Sequence, residues 1–305
     1  MPDRMPDGLS WPRICIVTPS YNQGQFIEET IRSVLLQGYP DLEYIVMDGG
    51  STDNTVEVIR KYEPWLSYWV SESDRGQAAA INKGWRLATG EILGWLNSDD
   101  CYFLSAFQKV ANAFIRDENI RVLAGEGILI NTDGKQIAAK PAYSFDPVAL
   151  LVHSQPLQPT TFYRKSVLSE VGFLNENLHY AMDREFFLRL GNHYFPEKTI
   201  SIEYPLAYST EWPGMKSATG TSRAMQERRS VIAKFLADPT IPNEWCLLKR
   251  RAFRHSFLLD AIWQARAGRL NRIVLSLLKA LYYSRNWREY KQILGHFRLL
   301  STRMQ

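Results

Sequence analysis

Little in this sequence supports a disulfide-stapled, secreted or membrane-spanning protein. Its 305 residues hold three cysteines, Cys15, Cys101 and Cys246, far apart and without the spacing of a metal site. Cysteine this sparse argues against a disulfide framework and predicts buried, reduced thiols. No run approaches the ~18 consecutive apolar residues that a membrane span requires. The opening stretch Met1–Trp11 is polar, with Pro2, Pro6 and Gly8, and has no apolar core of a secretory signal. A cytoplasmic location is the expectation. No internal repeat or low-complexity tract is visible.

What is present is ordinary for a globular chain, 45% hydrophobic and 22% charged residues, over a length that can bury a full core. The net charge of +4 hides an asymmetry. Residues 216–305 carry 18 Lys and Arg against 5 Asp and Glu, while 1–215 carry 18 against 27. A shift from −9 to +13 predicts two parts with different surroundings, divided at 215/216.

The most informative stretch is Leu93-Gly94-Trp95-Leu96-Asn97-Ser98-Asp99-Asp100. It reads as a buried strand that stops at two carboxylates, because burying unpaired carboxylates is very costly. The pair belongs at the C-terminal end of a strand, where open α/β sheets collect their ligands. Adjacent hard oxygen donors there suit a divalent cation that keeps waters and takes phosphate oxygens. A competing reading makes the two Asp residues caps of the next helix.

Three strand-helix units precede it. Arg13–Thr18, Glu43–Met47 and Leu66–Val70 read as strands, and Gln25–Gln37, the stretch through Val56 and Ile59, and Ala78–Ala88 as helices. Such alternation predicts a parallel sheet with right-handed crossovers. Polar clusters then fall at four strand ends: 18–22, 48–53, 74–77 and 97–100. Loops of this kind are polar anyway, but four with acidic residues and glycine on one sheet edge favour a site.

After Asp100 the pattern mixes. Thr132-Asp133-Gly134 suggests a hairpin between 127–131 and 135–139. Ser154–Pro159 reads as a Pro-rich loop, Tyr180–Leu190 as a helix with Asp183 in its first turn, and Ile200–Tyr204 and Leu206–Ser209 as closing strands. From Ser217 helical periodicity dominates, with helices expected at 222–236, 245–267, 269–282 and 287–299.

The stretches IVTPSYNQGQFIEETIRSVLLQ, VMDGGSTDNTVEVI, ESDRGQAAAINKGWRLATGEILGWLNSDD and YAMDREFFLRL resemble, in order and spacing, a family 2 glycosyltransferase of the GT-A fold. The resemblance covers about 13–215. It implies an α/β, Rossmann-like mixed sheet flanked by helices, as in nucleotide-diphospho-sugar transferases, with the all-helical C-terminal extension added. It also implies an inverting transfer from a nucleotide-sugar, by family habit a UDP-sugar, to an acceptor hydroxyl, assisted by Mg²⁺ or Mn²⁺, in surface polysaccharide or glycan assembly.

Residue by residue, Thr18, Pro19 and Tyr21 look like the family's base and ribose wall, and Asp48 like its nucleoside contact. Arg75 looks like a cationic contact to donor or diphosphate, since guanidinium matches phosphate geometry. Lys83 either adds charge to the same cleft or lies on a solvated helix face. Asn97 and Ser98 fall among the donor contacts, and Asp99 matches the second acid of the family's Asp-x-Asp motif, a metal ligand with Asp100 beside it. Asp183 matches the general base that accepts the acceptor's proton; the competing reading has it complement a helix dipole.

Two positions depart from the family's pattern. Asn97 stands at the first acid of Asp-x-Asp, and Trp212 where relatives often place a His that serves metal or diphosphate. Trp212 either stacks on a sugar or packs under a mobile loop, with Gly214 and Gly220 flanking a candidate lid.

The basic helices admit contact with an anionic membrane surface, serving a lipid-linked or other glycan acceptor from the inner face, or packing on the catalytic domain or a second copy. No nucleic-acid motif is present, so nucleic acid is not an expected partner. Two rivals remain: a catalytically silent nucleotide-sugar binder, and a nucleotidyltransferase. The latter would want a Gly- and basic-rich first loop, and Thr18–Gln25 holds one Gly and no Lys or Arg.

Overall fold

The structure, a computed structural model, describes residues 2, 4–5, 8–152, 155–216, 221–266 and 268–284. The expected helix 287–299 lies outside them, as do Ser154 and the Ser217 and Gly220 end of the candidate lid.

Four strands form the first half: β1 (Ile14–Ser20), β2 (Leu42–Asp48), β3 (Tyr68–Ser71) and β4 (Ile92–Trp95), linked by α1 (Ile27–Leu35), α2 (Thr55–Tyr62) and α3 (Gln77–Leu87). All pair in parallel, with β1 between β2 and β4. Every residue of β1 is buried, as a central parallel strand demands. The register sets Ser20, Asp48 and Ser71 abreast, so the polar ends of three strands share one edge. Helix α3 lies close over β1 because its Gly84 presents no side chain. A Cβ there would fall 2.5 Å from Val17 Cγ1.

The second half adds β5 (Asp100–Tyr102), α4 (Ala106–Arg116), β6 (Val122–Asn131), β7 (Gln136–Lys140), α5 (Pro147–Val152), β8 (Thr161–Arg164), α6 (Val167–Glu170), α7 (Met182–Tyr194) and β9 (Thr199–Glu211). The sheet runs β3-β2-β1-β4-β8-β6-β9-β5, with β7 on β6. Strand β8 is antiparallel to β4 and β6, and β9 is parallel to β6 but antiparallel to β5. This is the mixed sheet flanked by helices that the sequence implied, including the 6–7 hairpin. The two expected closing strands are one. Pro205, which cannot donate to a ladder, sits at a register shift opposite Glu126, and the strand passes through it.

The two sheet faces carry separate cores. On one, α1, α2 and α4 pack Ile31, Val34, Ile59, Phe107 and Phe114 against Ile14, Ile16 and Tyr44. On the other, Trp85, Leu150, Phe186 and Leu190 meet Val17, Met47 and Trp95. Helix Thr221–Phe235 adds Val231 and Ile232 to this second core, so charge changes sign near 216 while the core continues. Helices Leu248–Arg266 and Leu270–Tyr282 close a smaller cluster around Phe257, Ala261 and Leu277. Of the cysteines expected to be buried, Cys15 is, Cys101 is half-buried and Cys246 is exposed, at the end of a short surface helix.

Candidate active site

The polar edge begins with Asp48. Its carboxylate accepts from Gly50 N at 3.2 Å, Ser51 N at 2.9 Å, Ser71 Oγ at 2.6 Å and the Ser51 hydroxyl. Four donors hold the carboxylate in place, three of them on Oδ2 and one on Oδ1. Asp48 therefore shapes the wall of the site, and its Oδ1 keeps acceptor capacity toward a ligand.

Of the expected base and ribose wall, only Tyr21 is exposed; Pro19 is buried. Thr18 is wholly buried, its hydroxyl 3.1 Å from Tyr44 Oη inside the sheet. Strand alternation puts Thr18 on the face of Ile14 and Ile16, which carries core and not ligand. Its placement in the wall is corrected accordingly.

Beyond Asp48 a cleft of about 420 Å³ opens over the ends of β2 and β3, with Asp74, Arg75, Lys83, Arg86 and Glu176 on its rim. Its cations are already matched. The Arg75 guanidinium donates to Glu176 at 2.7 Å, and Lys83 pairs with Glu72. Asn82 fixes Glu176 in turn, donating to it at 3.0 Å and to Leu174 O at 2.9 Å.

The cleft stops short of Asp99 and Asp183, and a chain of side-chain amides spans the interval. Gln77 opens α3, directly after the cleft rim. Its Nε2 donates to Asn97 Oδ1 at 2.7 Å, and its Oε1 accepts from Lys216 Nζ at 3.1 Å. Asn97 Nδ2 donates to Gln158 Oε1 at 3.1 Å and to Asp100 Oδ2 at 3.3 Å. Gln158 is anchored on Trp95 O. Asn97 thus joins three elements, and its one acceptor oxygen points to Gln77. Ser98 is buried beneath it.

The two carboxylates of the motif face different ways. Asp100 starts β5 and turns inward, accepting from Thr210 N at 3.1 Å. Burial, then the charge of Asp99, pushes its carboxyl well above the usual range. Asp99 is partly exposed, and burial raises it as well. Its Oδ2 accepts the indole N–H of Trp212 at 2.9 Å. The Trp212 ring lies 5.0 Å from Phe26 and folds over Gly214, where a Cβ would overlap it at 2.0 Å. Trp212 therefore packs under its own loop, with its nitrogen on the carboxylate.

Across from these, Asp183 sits partly exposed in the first turn of α7. Gln155 Nε2 donates to its Oδ2 at 2.7 Å, and Arg184 N to its Oδ1 at 2.7 Å. The neighbouring Arg184 is buried and donates to Leu150 O. Burial pushes it down to about 10, against the pull of Asp183.

Among the described residues no three His, Cys, Asp or Glu side chains gather as a metal cage. The set is one outward carboxylate, Asp99. That fits Mg²⁺ or Mn²⁺ only where the ion takes most of its shell from water and substrate phosphates.

The profile of Glycosyl transferase family 2 matches residues 15–171. The chain belongs to that family. Among its relatives, an uncharacterized glycosyltransferase of Rickettsia typhi is 26% identical over 200 residues, 62% of this chain and 63% of that protein. Chondroitin synthase of Pasteurella multocida is 31% identical over 185 residues, 59% of this chain but 19% of the synthase. The fold matches that of a mannosyltransferase from Pyrobaculum calidifontis solved with GDP-Man and Mn²⁺, with a TM-score of 0.60 and 20% identity over 94% of this chain and 80% of the other. This family 2 glycosyltransferase thus has the GT-A sheet its motifs implied.

Sequence reasoning passed over Gln77, Gln155, Gln158, Glu176 and Lys216. Gln77 stands inside a matched stretch, and Gln155 and Gln158 punctuate the Pro-rich loop. No local pattern marks Glu176 or Lys216.

Proposed function

We propose that the chain moves a sugar from a nucleotide-sugar, with a UDP-sugar first to test, to an acceptor hydroxyl with inversion at the anomeric carbon. The observation that carries this is Asp183, a partly exposed carboxylate at a helix start, aimed by Gln155. The nucleoside end of the donor occupies the cleft beside Asp48 and Arg75, and the sugar lies toward Asn97. The acceptor oxygen attacks the anomeric carbon as the bond to the diphosphate breaks, and its proton passes to Asp183. Mg²⁺ or Mn²⁺, held by Asp99, would serve as a Lewis acid for charge on the leaving group. In this reading 1–215 is the catalytic unit.

The name of the Pasteurella relative supports a role in polysaccharide assembly. No described helix is long and apolar enough to cross a membrane. The last described helix exposes Val274, Leu275, Leu278 and Tyr282, with Arg272 and Lys279 alongside. This supports contact of the basic extension with an anionic leaflet and a lipid-linked acceptor. Flotation on anionic liposomes at low salt tests that part, and an absence of binding removes it.

Calorimetry with a panel of nucleotide-sugars tests the donor, and NMR of the product anomer tests inversion. Binding of one donor, with turnover lost in Asp183→Asn, is the expected result. Donor binding with turnover unchanged in that variant would overturn the role of Asp183.

A further inference from the structure

We propose that Lys216 is the resident cation for the donor's diphosphate, so that a nucleoside diphosphate binds here with little help from a divalent ion. The inference rests on the donor reading above and names the group that holds the donor's phosphates.

Position is the first argument. A donor laid from the cleft toward Asp183 must place its diphosphate in the interval that Gln77 spans. Lys216 Nζ lies in that interval, 3.1 Å from Gln77 Oε1 and 5.8 Å from the Tyr180 ring centroid. Three carboxylates act on it from three elements: Asp74 from the cleft rim, Asp183 from α7 and Glu227 from helix Thr221–Phe235. Two of these mark the nucleoside and transfer ends of the proposed path. The side chain is half-buried, and a charge held in such surroundings acts on phosphate more strongly than one in water.

The way the segment is held is the second argument. Trp212 is pinned by its N–H to Asp99 and by its ring to Phe26, and Met215 N closes a turn on Trp212 O at 3.2 Å. This brings Lys216 back over the end of α3. A lysine on an anchored turn needs little reorganisation to meet phosphate oxygens, and its charge suits them.

The surrounding residues also withhold ligands from a metal. Asn97 is neutral and commits its carbonyl to Gln77, Asp100 faces inward, and one oxygen of Asp99 is held by Trp212. An ion would find one half-engaged carboxylate. The ammonium stands beside this arrangement without needing it.

The test is calorimetry of UDP, GDP and dTDP, each beside its nucleoside, on the full chain in EDTA and in Mn²⁺. Wild type, Lys216→Gln and Lys216→Arg are compared. In wild type one diphosphate should bind in EDTA within about threefold of its Mn²⁺ affinity. Lys216→Gln should weaken that diphosphate in EDTA by roughly tenfold or more, the size of one charge-assisted hydrogen bond, and leave the nucleoside unchanged. Lys216→Arg should stay near wild type. Equal weakening of nucleoside and diphosphate would mark a structural role and overturn the proposal. So would wild-type binding that requires Mn²⁺ with no effect of Lys216→Gln, although the donor reading would survive. No binding of any nucleotide in either condition would overturn both.

Discussion

The nucleoside end and the transfer end of this site are built on opposite plans. At the nucleoside end, charged side chains meet opposite charges at contact distance, Lys83 with Glu72 and Arg75 with Glu176. At the transfer end, neutral amides link residues distant in sequence, and the charges of Asp99, Asp183 and Lys216 each keep an interaction with a neutral group. A wall of matched charges gives shape. A few charges set among amides give chemistry, because fixed neutral dipoles around them favour charge that develops in the transition state.

The sharpest way to break this comparison is at Asp183. Asp183→Asn should lower turnover by about 10²- to 10⁴-fold, the usual worth of a general base, while donor affinity measured by calorimetry stays within about threefold. At the other end, Asp48→Ala should cost about 2–4 kcal/mol of stability in urea unfolding, because it strands several buried donors. Asp48→Asn should cost less, since it keeps an acceptor.

A pH titration sharpens the contrast. Burial lowers Lys216 from the ordinary lysine value of 10.5, against the opposing charges of Glu227, Asp183 and Asp74. The ammonium is therefore lost at a lower pH than for a free lysine. Diphosphate affinity should fall as pH rises through that lowered value, and in Lys216→Arg the fall should vanish. A fall of equal size in the arginine variant would assign it to another group. Gly214→Ala should weaken donor binding a fewfold and change tryptophan fluorescence, since its Cβ cannot coexist with the Trp212 ring as placed. Smallest of all, Lys83→Gln should shift stability by no more than about 0.5–1 kcal/mol, because it removes one exposed pair.

The same contrast separates what could be read from the chain. The parallel half was legible because each strand and helix announces itself in a short window, and strand ends carry their polar residues together. The helix that carries Asp183 in its first turn was legible for the same reason. Thr18 was not, because strand alternation relative to the core decides its direction, and a fully buried strand has no polar-apolar pattern to display it. The amide chain was not legible either. Gln77 and Lys216 are 139 residues apart, Trp212 and Asp99 113, and Asn97 and Gln158 61. Their meeting depends on β8 pairing with β4 and on β9 returning alongside β5, which no local spacing encodes.

Four rings lie beneath both ends. Trp85 of α3, Trp95 of β4, Tyr163 of β8 and Phe186 of α7 stand with centroids 5.3 to 6.5 Å apart. Interiors this dense transmit displacement instead of absorbing it. The helix that borders the donor cleft and the helix that bears Asp183 thus share one stiff floor. A donor that nudges α3 on entering would move α7 with it, giving the two substrates a mechanical link that needs no hinge.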